Sequence, residues 1–155
     1  MNSAEAIEKL KQKGLRVTPQ RVAVFRTVYK LNNHPTAENI ISTIQKNLPH
    51  IAVGTVYKVL DTLVGSNLLE KVKTERGTMR YDPVLSKHHH LYCKATDRIE
   101  DYEDSELDKM IESYFSRKEI EHFTITDIQL QINGKFKFKK HGKQKKREMP
   151  GDARG

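Results

Sequence analysis

Lys87-His88-His89-His90-Leu91-Tyr92-Cys93 gathers three of the seven histidines and the single cysteine of the chain into one short stretch. Read as a strand, its side chains alternate, so His88, His90 and Tyr92 share one face while His89, Leu91 and Cys93 share the other. Two imidazoles on one face can grip one ion, and Fe, Zn, Ni or Mn would all accept them. A pair does not complete a site, so further ligands must come from elsewhere in the chain. Without them, the stretch is an exposed histidine-rich strand. One cysteine excludes an internal disulfide framework and any zinc site built from paired C-x-x-C motifs.

Charge divides the 155 residues more sharply than the net +8 suggests. Residues 1 to 83 carry 13 lysines and arginines against 7 acids, residues 84 to 134 carry 6 against 11, and residues 135 to 155 carry 9 against 2. A basic first part, an acidic middle and a basic tail predict a polyanion-binding module, a second domain and an unstructured extension. The expected boundaries are 1–83, a hinge at 84–86, 87–134 and a tail at 135–155, disordered beyond about residue 140. The tail would either add non-specific DNA affinity, with a steeper salt dependence, or serve only as a solubilising extension. No run approaches the apolar length of a membrane span, and Met1-Asn2-Ser3-Ala4-Glu5 lacks the basic and apolar regions of a leader, so the expected location is the cytosol, with no membrane partner.

Elements that could position the histidines follow from periodicity. Ile7 and Leu10 mark a short helix over 3–13 ended by Gly14. Thr18-Pro19 opens a second helix, with a capping hydroxyl and a proline at the first helical position, and Val22, Phe25 and Tyr29 lead its apolar stripe. Thr36 caps a third, with Glu38 in its first turn and Ile40, Ile41, Ile44 and Leu48 on its buried face. A fourth runs from about Thr55 to Val64, with Val56, Val59, Leu60 and Leu63 inward and Gly65 ending it. A hairpin follows, Leu68 to Lys73 and Met79 to Asp82 around Glu75-Arg76-Gly77-Thr78.

Helices followed by a basic hairpin describe a winged helix-turn-helix. The last helix of that unit enters the major groove of double-stranded DNA, where Thr55, Tyr57 and Lys58 would meet bases and phosphates, while Arg16 and the wing-tip Arg76 would contact the backbone. Beyond residue 86 the pattern predicts strands at His88–Cys93 and Arg98–Tyr102, and a helix over 104–118 with Leu107, Met110, Ile111, Tyr114 and Phe115 inward. It also predicts an alternating strand from Phe123 to Ile132. The fold class is therefore α+β: an N-terminal winged helix-turn-helix plus a small C-terminal α/β domain. So small a domain buries little apolar surface alone, which predicts a homodimer.

Four collinear motifs now carry a family resemblance: Arg16-Val17-Thr18-Pro19-Gln20-Arg21, His34-Pro35-Thr36-Ala37-Glu38, Gly54 through Leu63, and His88 through Cys93. The chain resembles the ferric uptake regulator family of metal-dependent bacterial repressors over roughly residues 5 to 134. The resemblance implies one regulatory metal per subunit, held by His34, Asp82, His88, His90 and Asp101. One ion would then tie the DNA-reading domain, through His34 and Asp82, to the dimerising domain, through the other three. Binding would favour the arrangement in which both winged helices of a dimer face successive major grooves of a palindromic operator.

Aspartates at both acidic positions resemble the peroxide-sensing branch of that family. There Fe(II) promotes oxidation of ligand histidines, and His34 and His88 match the oxidised positions, whereas Mn(II) binds without that chemistry. Zinc would also be accommodated in vitro. The alternative on the same scaffold is an iron- or zinc-responsive metal-uptake regulator. The chain departs from the family in keeping only Cys93 of the usual two C-x-x-C pairs, so no structural zinc is expected. A second regulatory site of some relatives looks incomplete: Asp108 and His89 suit it, but Ile128 stands where a histidine is expected. Thiol sensing by Cys93 lacks a partner cysteine. A small metallohydrolase would leave the basic winged helix without a role and has no general base placed by sequence. A metal-independent DNA-binding module would leave the histidines idle.

Overall fold

The computed structural model describes residues 1–83 and 87–137. Four helices come first: α1 Ser3–Gln12, α2 Pro19–Leu31, α3 Ala37–Asn47 and α4 Val53–Gly65. They are followed by strands β1 Leu69–Lys73 and β2 Met79–Pro83, then β3 His89–Cys93, β4 Arg98–Tyr102, helix α5 Ser105–Ser116 and strand β5 Gln131–Asn133. This is the α+β class expected. The hinge at 84–86 and the tail beyond 137 lie outside the described residues.

Local chemistry sets the helix starts. Thr18 Oγ1 accepts the Arg21 N–H at 3.2 Å, with Pro19 in the first helical position. Thr36 and Asn39 exchange a reciprocal cap, satisfying N–H groups that have no helical partner. Gly14, at φ +67°, ends α1 in a left-handed conformation that a side chain would resist. Helix α4 begins two residues before the expected Thr55. Its cap, Ala52, has no side-chain hydrogen bond, and Val53 is exposed, so neither a capping residue nor an inward apolar position marked that start.

The main core unites all four helices with the first hairpin. Leu10, Val24, Phe25, Val28, Ile40, Ile44, Val56, Leu60 and Leu63 are sealed from solvent or nearly so, and Leu69 and Tyr81 join them from β1 and β2. β1 and β2 pair antiparallel, with Glu70 opposite Asp82 and Val72 opposite Arg80. Tyr81 turns into the helical core, so its neighbours Arg80 and Asp82 point the other way, toward the second half of the chain.

That second half is built on a sheet ordered β4-β3-β5, antiparallel on one side of β3 and parallel on the other. Its own buried apolar residues among those described are few: Tyr92, Cys93 and Ile99. Two expectations need correction here. The face of α5 that the pattern turned inward is not buried in the single chain, with Met110 at 70% and Tyr114 at 52% exposure. The strand expected over Phe123 to Ile132 is realised only as Gln131–Asn133, the part of the segment that runs in register beside β3. Both segments therefore leave apolar side chains exposed in the single chain.

Replacing Thr18 by Ala removes the α2 cap and is expected to lower stability by about 1 kcal/mol, whereas Thr18→Ser should retain most of it. Urea unfolding followed by circular dichroism reads the difference.

Candidate metal centre

Four backbone segments bring polar side chains to one point between the two halves. His34 comes from the α2–α3 loop, where Asn32, Asn33 and His34 lie in succession at φ +52°, +51° and +54°. Asn32 combines its positive φ with an extended ψ of −177°, and asparagine and histidine tolerate positive φ better than most residues. Asp82 comes from β2, on the face opposite Tyr81. His90 sits in β3 directly across from Asp101 in β4, so register alone makes them neighbours. His88, two residues earlier, shares the His90 face.

The donor atoms converge. One donor atom each from His34, Asp82, His88, His90 and Asp101 lies within 4.8 Å of all the others. His34 Nε2 is 2.9 Å from Asp101 Oδ1 and 3.5 Å from Asp82 Oδ2. His88 Nε2 is 3.3 Å from Asp82 Oδ2, and His90 Nε2 is 3.8 Å from Asp101 Oδ1. The His34 and His90 rings stand edge to face at 5.1 Å, as do His88 and His90 at 5.0 Å. Donors held at about 2.1 Å from one ion are separated by roughly 3 to 4 Å, and the four imidazole–carboxylate pairs above lie at 2.9–3.8 Å.

Burial makes this cluster costly without a cation. All but Asp101 are buried, and the Nε2 atoms of His34 and His90 are sealed from solvent without a directed hydrogen bond. Burial pushes the Asp82 carboxyl up to about 7, and the negative Asp101 beside it adds to the rise. Burial pushes His90 down to about 4, helped by the neighbouring His34 and His88, and it lowers His34 as well. Neutral imidazoles with free lone pairs beside acids crowded in a dry pocket are what a divalent cation relieves. Three nitrogen and two oxygen donors without thiolate suit Fe(II) or Mn(II), with Zn(II), Ni(II) and Co(II) compatible by ligand type.

His89, the middle histidine, faces away from this cluster. It is fully buried, its Nδ1 accepts the Leu130 N–H at 3.2 Å, and its Nε2 lies 3.2 Å from Asp108 Oδ1 on α5. Lys87 Nζ approaches the same carboxylate at 3.5 Å.

The sequence model of the ferric uptake regulator family matches residues 12–133. The chain belongs to the ferric uptake regulator family. The peroxide operon regulator of Bacillus subtilis is 34% identical over 106 residues, covering 68% of this chain and 73% of that protein. Among solved structures, the Campylobacter jejuni peroxide stress regulator aligns with a TM-score of 0.66 at 25% identity, over 90% of this chain and 99% of that one. The Pseudomonas aeruginosa ferric uptake regulator with manganese aligns with a TM-score of 0.73 at 21% identity, over 86% and 98%. This is a family of transcriptional regulators and not of enzymes.

The nucleic-acid candidates fall on two surfaces. Tyr57 and Lys58 are exposed on α4 and Thr55 is half-buried beside them. Arg16 is exposed before α2, with its carbonyl accepting the Arg21 guanidinium at 2.7 Å. Arg76 behaves differently: its Nη2 donates to the Ala95 carbonyl at 2.8 Å, so the wing tip rests on the β3–β4 turn. Sequence reasoning missed Arg80 and Asp97, which join the same two segments beside the metal cluster. The available signal was Arg80 alternating with Asp82 on one face of β2.

Removing a donor by His90→Ala or Asp101→Asn is expected to weaken Mn(II) binding by roughly two orders of magnitude or more, beyond the 10–100-fold typical of outer partners. His89→Ala should weaken it by no more than about tenfold, the lower end of that range. Calorimetric titration of the chelator-treated protein measures all three.

Proposed function

We propose that this protein is a metal-dependent repressor that grips a palindromic operator as a homodimer and lets go when hydrogen peroxide oxidises its metal site. The carrying observation is the convergence of His34 and Asp82 from the first half of the chain with His88, His90 and Asp101 from the second. The domains are 1–83 for DNA reading and 87–134 for dimerisation. An ion shared between them stabilises one relative arrangement of the two, and so selects the conformation in which the α4 helices of a dimer meet successive major grooves. Thr55, Tyr57 and Lys58 then face the bases and nearby phosphates, with Arg16 at the DNA backbone; Arg76 reaches the backbone only by giving up its bond to the Ala95 carbonyl.

Fe(II) in this pocket supplies reduction of hydrogen peroxide, whereas Mn(II) occupies it without that reaction. His34 and His88 are the residues oxidised: one peroxide oxygen is added to an imidazole ring carbon and the other leaves as water. The modified ring no longer presents the same lone pair, and the grip between the two halves is lost. Aspartate at both acidic positions, the absence of thiolate from the cluster and 34% identity to a peroxide operon regulator support this reading. No structural zinc takes part, since the chain has one cysteine.

Dimerisation is supported by the unpartnered apolar side chains of the second half: Met110, Tyr114, Phe123 and Ile132 are 42–70% exposed. Among the described residues no helix is long and apolar enough to cross a membrane, and the proposed site of action is the cytosol. A second reading, a sensor of iron or zinc supply, is favoured by structural neighbours described as ferric uptake regulators and as a zinc-bound manganese uptake regulator.

Operator binding by the apo, Mn(II) and Fe(II) forms, with and without micromolar peroxide, separates the readings. The peroxide reading predicts metal-dependent binding, release of the Fe(II) form alone, and a gain of one oxygen on a peptide holding His34 or His88. Metal-dependent binding with equal peroxide insensitivity of both forms would contradict it and favour the supply sensor.

A further inference from the structure

Arg80 is buried for the most part and reaches in two directions from β2. Its Nη1 donates to the His34 carbonyl at 2.9 Å, while its Nη2 donates to the Asp97 carbonyl at 2.8 Å and approaches Asp97 Oδ2 at 3.3 Å. A planar guanidinium suits this task, since its fixed fork can satisfy two separate segments at once, which a lysine ammonium cannot do with the same geometry. Asp97 is held in turn: Tyr92 Oη–H donates to its Oδ1 at 3.0 Å, and both the residue and its bond to Arg80 are shielded from solvent. Asp97 also adopts φ +55°, a backbone state that its side-chain bonds must help to maintain.

The consequence reaches the metal cluster through His34. Its backbone is left-handed, and its Nδ1 has no hydrogen-bond partner among the described residues, so no side-chain bond fixes the imidazole from behind, while Nε2 faces Asp101 Oδ1 at 2.9 Å within the cluster. Position must come from the main chain. The contacts that hold it are the Arg80 bond to the His34 carbonyl and, next to it, the Tyr81 N–H donated to the Pro35 carbonyl at 3.0 Å. The same Arg80 fixes the turn between β3 and β4, the strands that carry His90 and Asp101. Two further contacts align the wing with that turn, Arg76 with the Ala95 carbonyl and Glu75 with Lys94 at 3.1 Å.

We propose that Arg80 and Asp97 form a metal-independent latch between the two halves of the chain, which sets the His34 loop and the β3–β4 turn in register before an ion binds. Arg80 and Asp97 are positioning residues: they touch no donor atom of the cluster, yet they define where the loop that carries His34 stands relative to His90 and Asp101. The proposal builds on the metal-binding reading of that cluster. In its absence the ion itself would have to order both segments, and part of its binding free energy would go to that ordering.

Two variants test this in the full-length protein. Arg80→Lys keeps the charge and loses the fork; Asp97→Gly loses the carboxylate while giving the turn the residue best suited to φ +55°. Each is compared with the wild type by Mn(II) calorimetry, by thermal melting, and by hydrogen–deuterium exchange of the metal-free protein. The latch predicts cooperative melting for Asp97→Gly, Mn(II) affinity about tenfold weaker in both variants, and faster exchange in segments 32–36 and 79–83. Saturating Mn(II) should restore wild-type exchange in those segments. Mn(II) affinity within about twofold of wild type in a cooperatively folded variant would overturn the proposal. So would unchanged exchange at 79–83 in the metal-free protein. If the wild type itself takes up no Mn(II), the metal reading fails and positioning fails with it, while exchange still decides whether Arg80 and Asp97 join the two halves.

Discussion

Everything in this structure turns on a polar cluster placed where an apolar seam would ordinarily be. Three imidazoles and two carboxylates meet between the helical half and the sheet half, and four of the five residues are buried. Removing so many polar groups from water costs free energy unless their lone pairs and charges find partners. The protein supplies few: His34 and His90 point nitrogens at acids that approach without hydrogen-bond alignment, and Asp82 is held near 7 by its dry surroundings. A divalent cation resolves all of these mismatches together. Because the donors come from both halves, the free energy gained by resolving them is gained only when the halves are juxtaposed, so an ion bonded by all five would favour that arrangement.

The surrounding structure is shaped by that need. The helical half has a continuous apolar core and is rigid enough to hold Asp82 on a strand whose opposite face, through Tyr81, is anchored in it. The sheet half is apolar mainly on surfaces the single chain leaves uncovered, so its order depends on what it pairs with. Arg80 links them at a point where neither core extends. A guanidinium shared between the His34 and Asp97 carbonyls keeps the two segments aligned, and leaves the ion to add the final increment of closure.

Part of the site was legible in the sequence because strand geometry is simple: the spacing of His88 and His90 placed both on one face. Asp101 came only through motif resemblance, and the β3–β4 register now accounts for it by setting it opposite His90. The capped starts of α2 and α3 were visible in Thr18 and Thr36. His34 and Asp82 were legible only through motif resemblance, since nothing local in a loop histidine or a strand aspartate announces a partner far along the chain. Arg80 and Asp97 escaped for the same reason: their meeting is a product of tertiary closure. The inward face expected for α5 and the long strand expected from Phe123 onward rested on sound apolar patterns. In the single chain those apolar faces stay exposed, and no periodicity distinguishes a surface buried within a chain from one left for a partner.

The central claim is that one ion is bonded by both halves of the same chain. Anomalous diffraction at the manganese edge from crystals of the Mn(II)-loaded protein tests it most directly. The account predicts a single strong peak per subunit within bonding distance of His34, Asp82, His88, His90 and Asp101. A peak bonded only by His88, His90 and Asp101, with His34 and Asp82 turned away in a subunit that still binds operator, would contradict it.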